Sequence, residues 1–247
     1  MRGSACADKV RPPEPRGPMI SVVIPTLNAE RGLAACLTAL VPAAAEGLVR
    51  EVIVVDGGSS DRTTEIVDQA GATLVRSPAG RGCQLAAGAQ QARMPWLLFL
   101  HADTVLEQGW ERDAAAFIER VDTGQRPHAA AAFRFALDDL GVMPRLLEFG
   151  VACRCAVFGL PYGDQGLLIQ GRHYRQLGGY KPMPLMEDVE LVRRIGRRRL
   201  VVLRTRAITS AARYRRDGYV RRTIRNLSCL TLYFLRVPSG MIARLYR

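Results

Sequence analysis

Residues 96–104 read Trp-Leu-Leu-Phe-Leu-His-Ala-Asp-Thr. Five apolar residues run into a small acidic tip, His101-Ala102-Asp103-Thr104. A short apolar run with turn signals at both ends reads as a strand buried on both faces, as in a parallel sheet. Pro95, just before it, suits a strand's first residue, where no ladder donor is needed. In an open α/β sheet, ligands bind beyond the carboxyl ends of the strands. Asp103 is therefore expected at the lip of a central strand, facing a crevice. A lone carboxylate there suits a divalent cation shared with phosphate oxygens. The alternative is a polar loop residue capping the next helix.

Outward from this strand the chain alternates. Strands are expected at residues 20–24, ended by Pro25, at 51–55 and at 72–76, with helices over 30–41, about 61–70 and 82–92. Strands separated by roughly ten residues of helix imply βαβ units and a parallel sheet. Beyond Thr104 the expected order is helix 110–121, strand 129–137, helix 144–158, strand 166–170, a helix opened by Glu187-Asp188, strand 200–203 and helix 219–235, stopped before Pro238.

A chain of 247 residues accommodates one α/β domain with appendages. Hydrophobic content of 48% and charged content of 23% are ordinary for a soluble protein. No run approaches the ~18 consecutive apolar residues of a membrane span. The charge is uneven: from Arg193 onward 16 arginines face one acid, Asp217, for +15, while the preceding 192 residues carry −3 of the total +12. Such asymmetry suggests an anionic partner for the tail. No aromatic-basic platform is visible, so nucleic acid is not expected. The tail reads first as an amphipathic helix packed on the domain by Val220, Ile224, Leu227, Thr231 and Phe234, and second as a peripheral membrane contact. The six cysteines match neither a zinc knuckle nor a disulfide framework and read as thiols of an intracellular, cytoplasmic protein. Residues 1–18 hold four prolines and no apolar core of a signal peptide; they read as a disordered leader.

Several residues could carry chemistry. Glu30, Asp56 and Asp103 stand at strand ends or in the loops after them, and Pro25-Thr26-Leu27-Asn28 offers backbone groups at the first strand's lip. An ionised carboxylate only accepts hydrogen bonds, which suits a base's N–H donors and ribose hydroxyls. Asp56 could equally serve its own Gly57-Gly58 turn. Gly80-Arg81-Gly82 precedes a helix N-terminus, where anions are favoured and Arg81 could add a bidentate contact. Glu187-Asp188 could hold a general base or simply complement a helix dipole. Asp164-Gln165, between glycines, could bond a polar acceptor or make a turn. His101, His128 and His173 do not cluster; His101 matters for its place beside Asp103.

Together these stretches resemble the family 2 glycosyltransferases, the large inverting group with the GT-A fold. The resemblance rests on Ser21-Val-Val-Ile-Pro-Thr-Leu-Asn28 with Glu30, on Glu51-Val-Ile-Val-Val-Asp-Gly-Gly-Ser-Ser-Asp61, on Leu98-Phe-Leu-His-Ala-Asp103 and on Glu187-Asp188, in the family's order over about residues 19–200. The Gly-Arg-Gly loop, His-Ala-Asp, Pro-Tyr-Gly-Asp-Gln and Gly-Gly-Tyr bring it nearest to a compact bacterial subgroup associated with radical-SAM and selenium-related genes. The resemblance implies a Rossmann-like, mostly parallel sheet flanked by helices, with an acceptor-side region and a basic helical tail. Residues 19–247 would form one domain: a nucleotide-binding half (19–104), an acceptor and catalytic half (105–218) and a basic amphipathic C-terminal helix (219–247).

It also implies a nucleotide-diphosphate sugar donor, most often UDP-linked. Pro25, Thr26, Leu27 and Glu30 would hold the nucleoside, Asp56 the base, and Arg81 would approach the base or ribose. Ala102 and Asp103 fill the last two places of the family's Asp-x-Asp, with Asp103 binding Mg²⁺ or Mn²⁺ across the diphosphate. Asp188 would be the general base, with Glu187 beside it. Arg213, with Asp164 and Gln165, would face the acceptor. His101 replaces the first Asp of Asp-x-Asp, which alters a ribose or metal contact. The Gln-x-x-Arg-Trp motif of processive synthases is absent, so transfer would be non-processive. A nucleotidyltransferase or a dinucleotide-dependent dehydrogenase would want a glycine-rich phosphate loop after the first strand, which Pro25-Thr-Leu-Asn28 is not. The competing class is a degenerate nucleotide-sugar-binding or membrane-docking protein without turnover.

Overall fold

Runs rich in β-branched and aromatic residues become strands, and the alanine- and leucine-rich stretches between them helices. The structure, a computed structural model, describes residues 18–126 and 129–246. The expected leader up to residue 17, and His128, lie outside the described residues. The strands are β1 (Ile20–Thr26), β2 (Val49–Asp56), β3 (Thr73–Arg76), β4 (Trp96–Phe99), β5 (Thr104–Leu106), β6 (Ala130–Leu137), β7 (Leu167–Gln170) and β8 (Leu200–Thr209). They form one mixed sheet in the order β3-β2-β1-β4-β7-β6-β8-β5. β1 lies parallel between β2 and β4, β2 parallel to β3, and β6 parallel to β8. β7 runs antiparallel to both β4 and β6, and β5 antiparallel to β8.

Helices α1 (Glu30–Thr38), α2 (Val41–Ala45), α3 (Thr63–Gln69) and α4 (Arg81–Gln91) belong to the first half. The second half adds α5 (Trp110–Asp122), α6 (Val142–Phe158), α7 (Gly171–Gln176), α8 (Glu187–Ile195), α9 (Ala212–Asp217), α10 (Tyr219–Phe234) and α11 (Ser239–Tyr246). Successive residues of a strand point to opposite faces, and both faces of the central strands are covered. Val22, Ile24 and Leu98 pack with Leu33 of α1 and with Trp110, Phe117 and Ile118 of α5. Val23, Leu97 and Phe99 pack on the other face with Leu85 of α4, Tyr174 of α7 and Leu191 of α8. This two-sided burial is why Trp96–Leu100 reads as a continuous apolar run.

Three expectations are corrected. Pro25 does not end the first strand: β4 pairs β1 only over Ile20–Val23, so Pro25 lies beyond the ladder that would need its missing N–H. The late strand runs to Thr209, not to residue 203, because exposed Arg204 and Arg206 alternate with inward residues and break the apolar signal. The tail is two helices, and its apolar row faces out: Val220, Ile224 and Leu227 are 60%, 59% and 54% exposed, while Arg222 and Cys229 are buried. Packing through that row is therefore overturned.

Helix α4 sits close to the sheet because position 88 is glycine. A β-carbon there would lie 2.4 Å from Val23 Cγ1 and 2.8 Å from Val55 Cγ2. Gly88→Ala is expected to lower the stability by about 1–3 kcal/mol, the usual cost of overpacking a tight core. Chemical denaturation read by circular dichroism would check this; an unchanged midpoint would mean that α4 moves off the sheet at no cost.

Candidate functional site

The site is built where the strand ends of the first half meet loops of the second. The β1–α1 and β2–α3 loops are stitched together by short polar side chains. Asn28 Oδ1 accepts from the amide of Ser60 (2.9 Å), the Asn28 amide donates to Ser59 Oγ (2.8 Å), and the Ala29 amide donates to Thr63 Oγ1 (2.8 Å). Gln84, at the start of α4, donates its side-chain amide to the carbonyls of both Thr26 (2.7 Å) and Val55 (2.8 Å). Asn28 adopts the left-handed region, φ 52°, which asparagine tolerates better than most residues.

Asp56 is 3% exposed and is used by its own turn. It accepts from the amides of Gly58 (3.0 Å) and Ser59 (2.9 Å), and from the hydroxyls of Ser59 and Thr26. Burial alone would push its carboxyl up, but these donors hold it below the ordinary aspartate value. Its remaining surface borders a small hollow with Gly58, Ser59, Thr64, Arg76 and Ser77, apart from the main cleft. Glu30 is exposed and accepts from the Arg62 amide (3.2 Å). Leu27 is exposed, Pro25 half-buried and Thr26 buried.

Beyond β4 the His-Ala-Asp turn is clamped from two sides. The Leu100 amide donates to the Val23 carbonyl (3.0 Å), and the Asp103 carbonyl accepts from the Ser210 amide (3.1 Å). Thr104 and Thr209 pair through their buried hydroxyls (3.1 Å), and the Thr209 hydroxyl donates to the Asp164 carbonyl (3.1 Å). Ala102 is buried, and its carbonyl lies against Gly32 of α1.

Opposite, Met186 takes the left-handed conformation, φ 66°, at a cost of roughly 1–2 kcal/mol. The turn it makes brings Glu187 and Asp188, two consecutive residues, to the same cleft. Asp188 Oδ2 accepts from the Gly163 amide (2.7 Å). A β-carbon on Gly163 would lie 2.6 Å from His101 Nε2 and 3.4 Å from Asp188 Oδ2, so glycine lets this loop pass between the imidazole and the carboxylate. Glu187 is 1% exposed; its Oε1 meets Arg81 Nη1 at 3.8 Å and has no hydrogen-bond donor. Burial first, then the charge of Asp188, raises the Glu187 carboxyl.

One cleft joins these groups. Of the expected site residues it brings together Arg81, Asp103, Asp164, Glu187, Asp188 and Arg213, with His101 among them. It does not include Pro25, Thr26, Leu27, Glu30, Asp56 or Ala102, which form or support the neighbouring lip. Gln165 does not face it: the side chain is 1% exposed, donates to the Phe133 carbonyl (2.9 Å) and accepts from the Tyr162 amide (3.4 Å), so it braces the loop. His101 is held well below its ordinary value by burial first, and by the charges of Arg81 and Arg213.

Sequence reading missed one wall. Arg222, Asn226 and Tyr246, all from the tail, line the cleft beside Tyr162 and Tyr214. Arg222, 6% exposed, donates to Asp217 Oδ2 (2.8 Å) and to the Tyr246 hydroxyl (2.9 Å), which ties α11 to α10. The clue was the pattern itself: Arg222, Asn226 and Cys229 recur at helical spacing on the side opposite the apolar row.

The Glycosyl transferase family 2 model matches residues 21–135. The likeness is to family 2 glycosyltransferases and spans a little under half of the chain. A Mycobacterium tuberculosis protein named PGL/p-HBAD biosynthesis glycosyltransferase is 35% identical over 112 residues, 40% of this chain and 40% of that relative's length. Among solved structures, S. aureus TarS matches 92% of the chain and 69% of its own at a TM-score of 0.57 and 17% identity. Glucosyl-3-phosphoglycerate synthase from Mycobacterium tuberculosis, in complex with Mn²⁺, UDP and glucosyl-3-phosphoglycerate, matches 85% and 79% at 0.55 and 19%. At these identities the structures speak for the fold alone, and they bear out the expected GT-A arrangement.

Within the cleft one acid is the outlier. Asp164 has a buried oxygen without a partner, and burial first, then Asp188 and Asp103, raises its carboxyl to about 6. An acid whose folded value exceeds its unfolded one stabilises least above the folded value. Asp164→Asn is therefore expected to raise the thermal midpoint at pH 7.5 in EDTA, with the gain shrinking as pH falls from about 6 towards 4. Melting curves across that range would check it; a gain independent of pH would exclude Asp164 ionisation as its source.

Proposed function

We propose that the protein moves a sugar from a UDP-linked donor to an acceptor hydroxyl with inversion at the anomeric carbon, one residue per encounter. The observation that carries this reading is that Asp103 and Asp188, 85 positions apart in sequence, line one cleft with Arg81 and Arg213. The uridine would lie over the lip made by Pro25, Thr26 and Leu27, with exposed Glu30 towards the ribose. Asp56 would shape the base pocket through its turn rather than by a free carboxylate.

Among the described residues no group of three or more His, Cys, Asp or Glu side chains could hold a metal unaided. Mg²⁺ in phosphate sites is commonly held by one or two carboxylates plus substrate phosphates. Asp103, which lines the cleft beside His101, fits that pattern. Asp103 would hold Mg²⁺ or Mn²⁺ together with the diphosphate, and the bound ion would offset charge on the leaving group.

The chain's own groups account for the remaining chemistry. Asp188, fixed by the Gly163 amide, takes the proton of the acceptor hydroxyl. The acceptor oxygen bonds to the anomeric carbon as the carbon–oxygen bond to the diphosphate breaks, so one displacement inverts the centre. Arg81 and Arg213 face the departing anion. Glu187 aligns Arg81 and acts through it. Asp164 and Arg213 border the acceptor side, and Tyr162 and Tyr214 offer aromatic surface there.

Two variants separate these roles. Asp188→Asn is expected to keep UDP affinity within about twofold and to lose roughly 10²–10⁴ in transfer, the usual share of a general base. A screen of UDP-sugars for release of UDP supplies the assay; unchanged turnover would remove Asp188 from the reaction, and donor binding without turnover in the wild type would make the protein a binding module. Asp103→Ala is expected to weaken UDP binding in Mn²⁺ at least about tenfold. Equal wild-type affinity with Mn²⁺ and with EDTA, by calorimetry, would remove the metal from the reading.

A further inference from the structure

A helix on a globular protein normally turns its apolar stripe to the core. Helix α10 does the reverse. Val220, Ile224, Leu227 and Phe234 follow helical spacing and are 46–60% exposed, while Arg222 on the other side is 6% exposed. Helix α6, which touches α10, carries a second outward row: Val142, Leu146 and Phe149 are 73%, 58% and 69% exposed. Helix α11 adds exposed Met241 and Leu245. Single exposed apolar side chains are ordinary. Rows at helical spacing on touching helices are not, and patches of that kind mark interaction surfaces.

The charge around the rows selects the occupant. Arg221, Arg236 and Arg244 are exposed beside them. The one acid from Arg193 onward, Asp217, is already paired with Arg216, Arg222 and Arg225. An apolar helix face bordered by arginine is the composition of helices that lie in the headgroup layer, where anionic lipid attracts the cations. A second copy of this chain would set arginine against arginine. We propose that the outward faces of α10, α11 and α6 dock on the surface of an anionic lipid bilayer, without spanning it. No described helix is long and apolar enough to cross a membrane. The inference is independent of the chemistry assigned to the cleft.

The test is flotation of the full chain with vesicles of phosphatidylcholine alone or with one quarter phosphatidylglycerol. The wild type is expected to float with the anionic vesicles, at least about tenfold more than with the neutral ones, and to lose this preference at high salt. The double variant Ile224→Glu/Leu227→Glu is expected to lose binding at least about tenfold, because each charge opposes insertion of the row. Both positions are solvent-facing, so an unchanged circular dichroism spectrum and thermal midpoint are expected; should this variant unfold, Val142→Glu/Phe149→Glu on α6 gives the same reading. A wild type that stays with the soluble fraction at low salt would overturn the proposal. So would binding that neither variant weakens, or a wild-type dimer that the variants dissociate while vesicles go unbound.

Discussion

The amide of Ser210 donates to the carbonyl of Asp103, and the cleft depends on this link. It ties the end of β4, in the first half of the chain, to the end of β8, where the chain turns towards α9 and the tail. The neighbouring threonines reinforce it. Thr209 donates to the Asp164 carbonyl, which leaves the Thr104 hydroxyl as the donor in the Thr104–Thr209 pair. Each such bond contributes only about 1 kcal/mol net, but a buried hydroxyl or amide left unpaired would cost about 1–3 kcal/mol. The three together therefore hold Asp103, Asp164 and the first residues of α9 in one fixed relation. The two aspartates take part only through their backbone carbonyls, which leaves the carboxylates of Asp103 and Asp164 for the cleft.

The cleft concentrates charge of both signs in little space. Asp103, Asp164, Glu187 and Asp188 stand among Arg81, Arg213 and Arg222. Burial raises Asp164 to about 6 and also raises Glu187, which is the response expected where carboxylates share a poorly solvated space. Such groups are held at a cost to stability, and residues that cost stability while converging on one cleft are candidates for function. His101 is held well below its ordinary value by the same burial first, and then by the charges of Arg81 and Arg213.

What could be read from the sequence follows from how local each signal is. The buried strand 96–99 and the acidic tip after it were legible because burial on both faces leaves no polar residue in the run. The opening of α8 at Glu187 was legible from its paired acids. Strand β5 was not: three residues, Thr104–Leu106, carry no period. Helix α9 hid in a short arginine-rich stretch that reads as a loop. Asp56 and Gln165 show a different limit. A polar residue flanked by glycine has the same local signature whether it faces a ligand or satisfies its own turn. Only the placement of donors such as the Ser59 amide and the Tyr162 amide distinguishes the two.

The direction of the tail was beyond local reading for a related reason. Hydrophobic period tells which residues share a face of a helix, and says nothing of what the rest of the protein offers that face. Here the neighbours offer aromatic and acidic groups: Tyr214, whose hydroxyl accepts from Asn226, and Asp217, which accepts from Arg222 and Arg225. Arg222 lies 5.7 Å from the Tyr214 ring and 5.6 Å from that of Tyr246, within reach of cation–π attraction. A buried guanidinium is tolerated only when its donors are met and its charge is opposed, and this corner meets both needs. The arginine side of α10 thus has partners inward that its apolar side lacks, and the helix is fixed with Val220, Ile224 and Leu227 turned away from the protein.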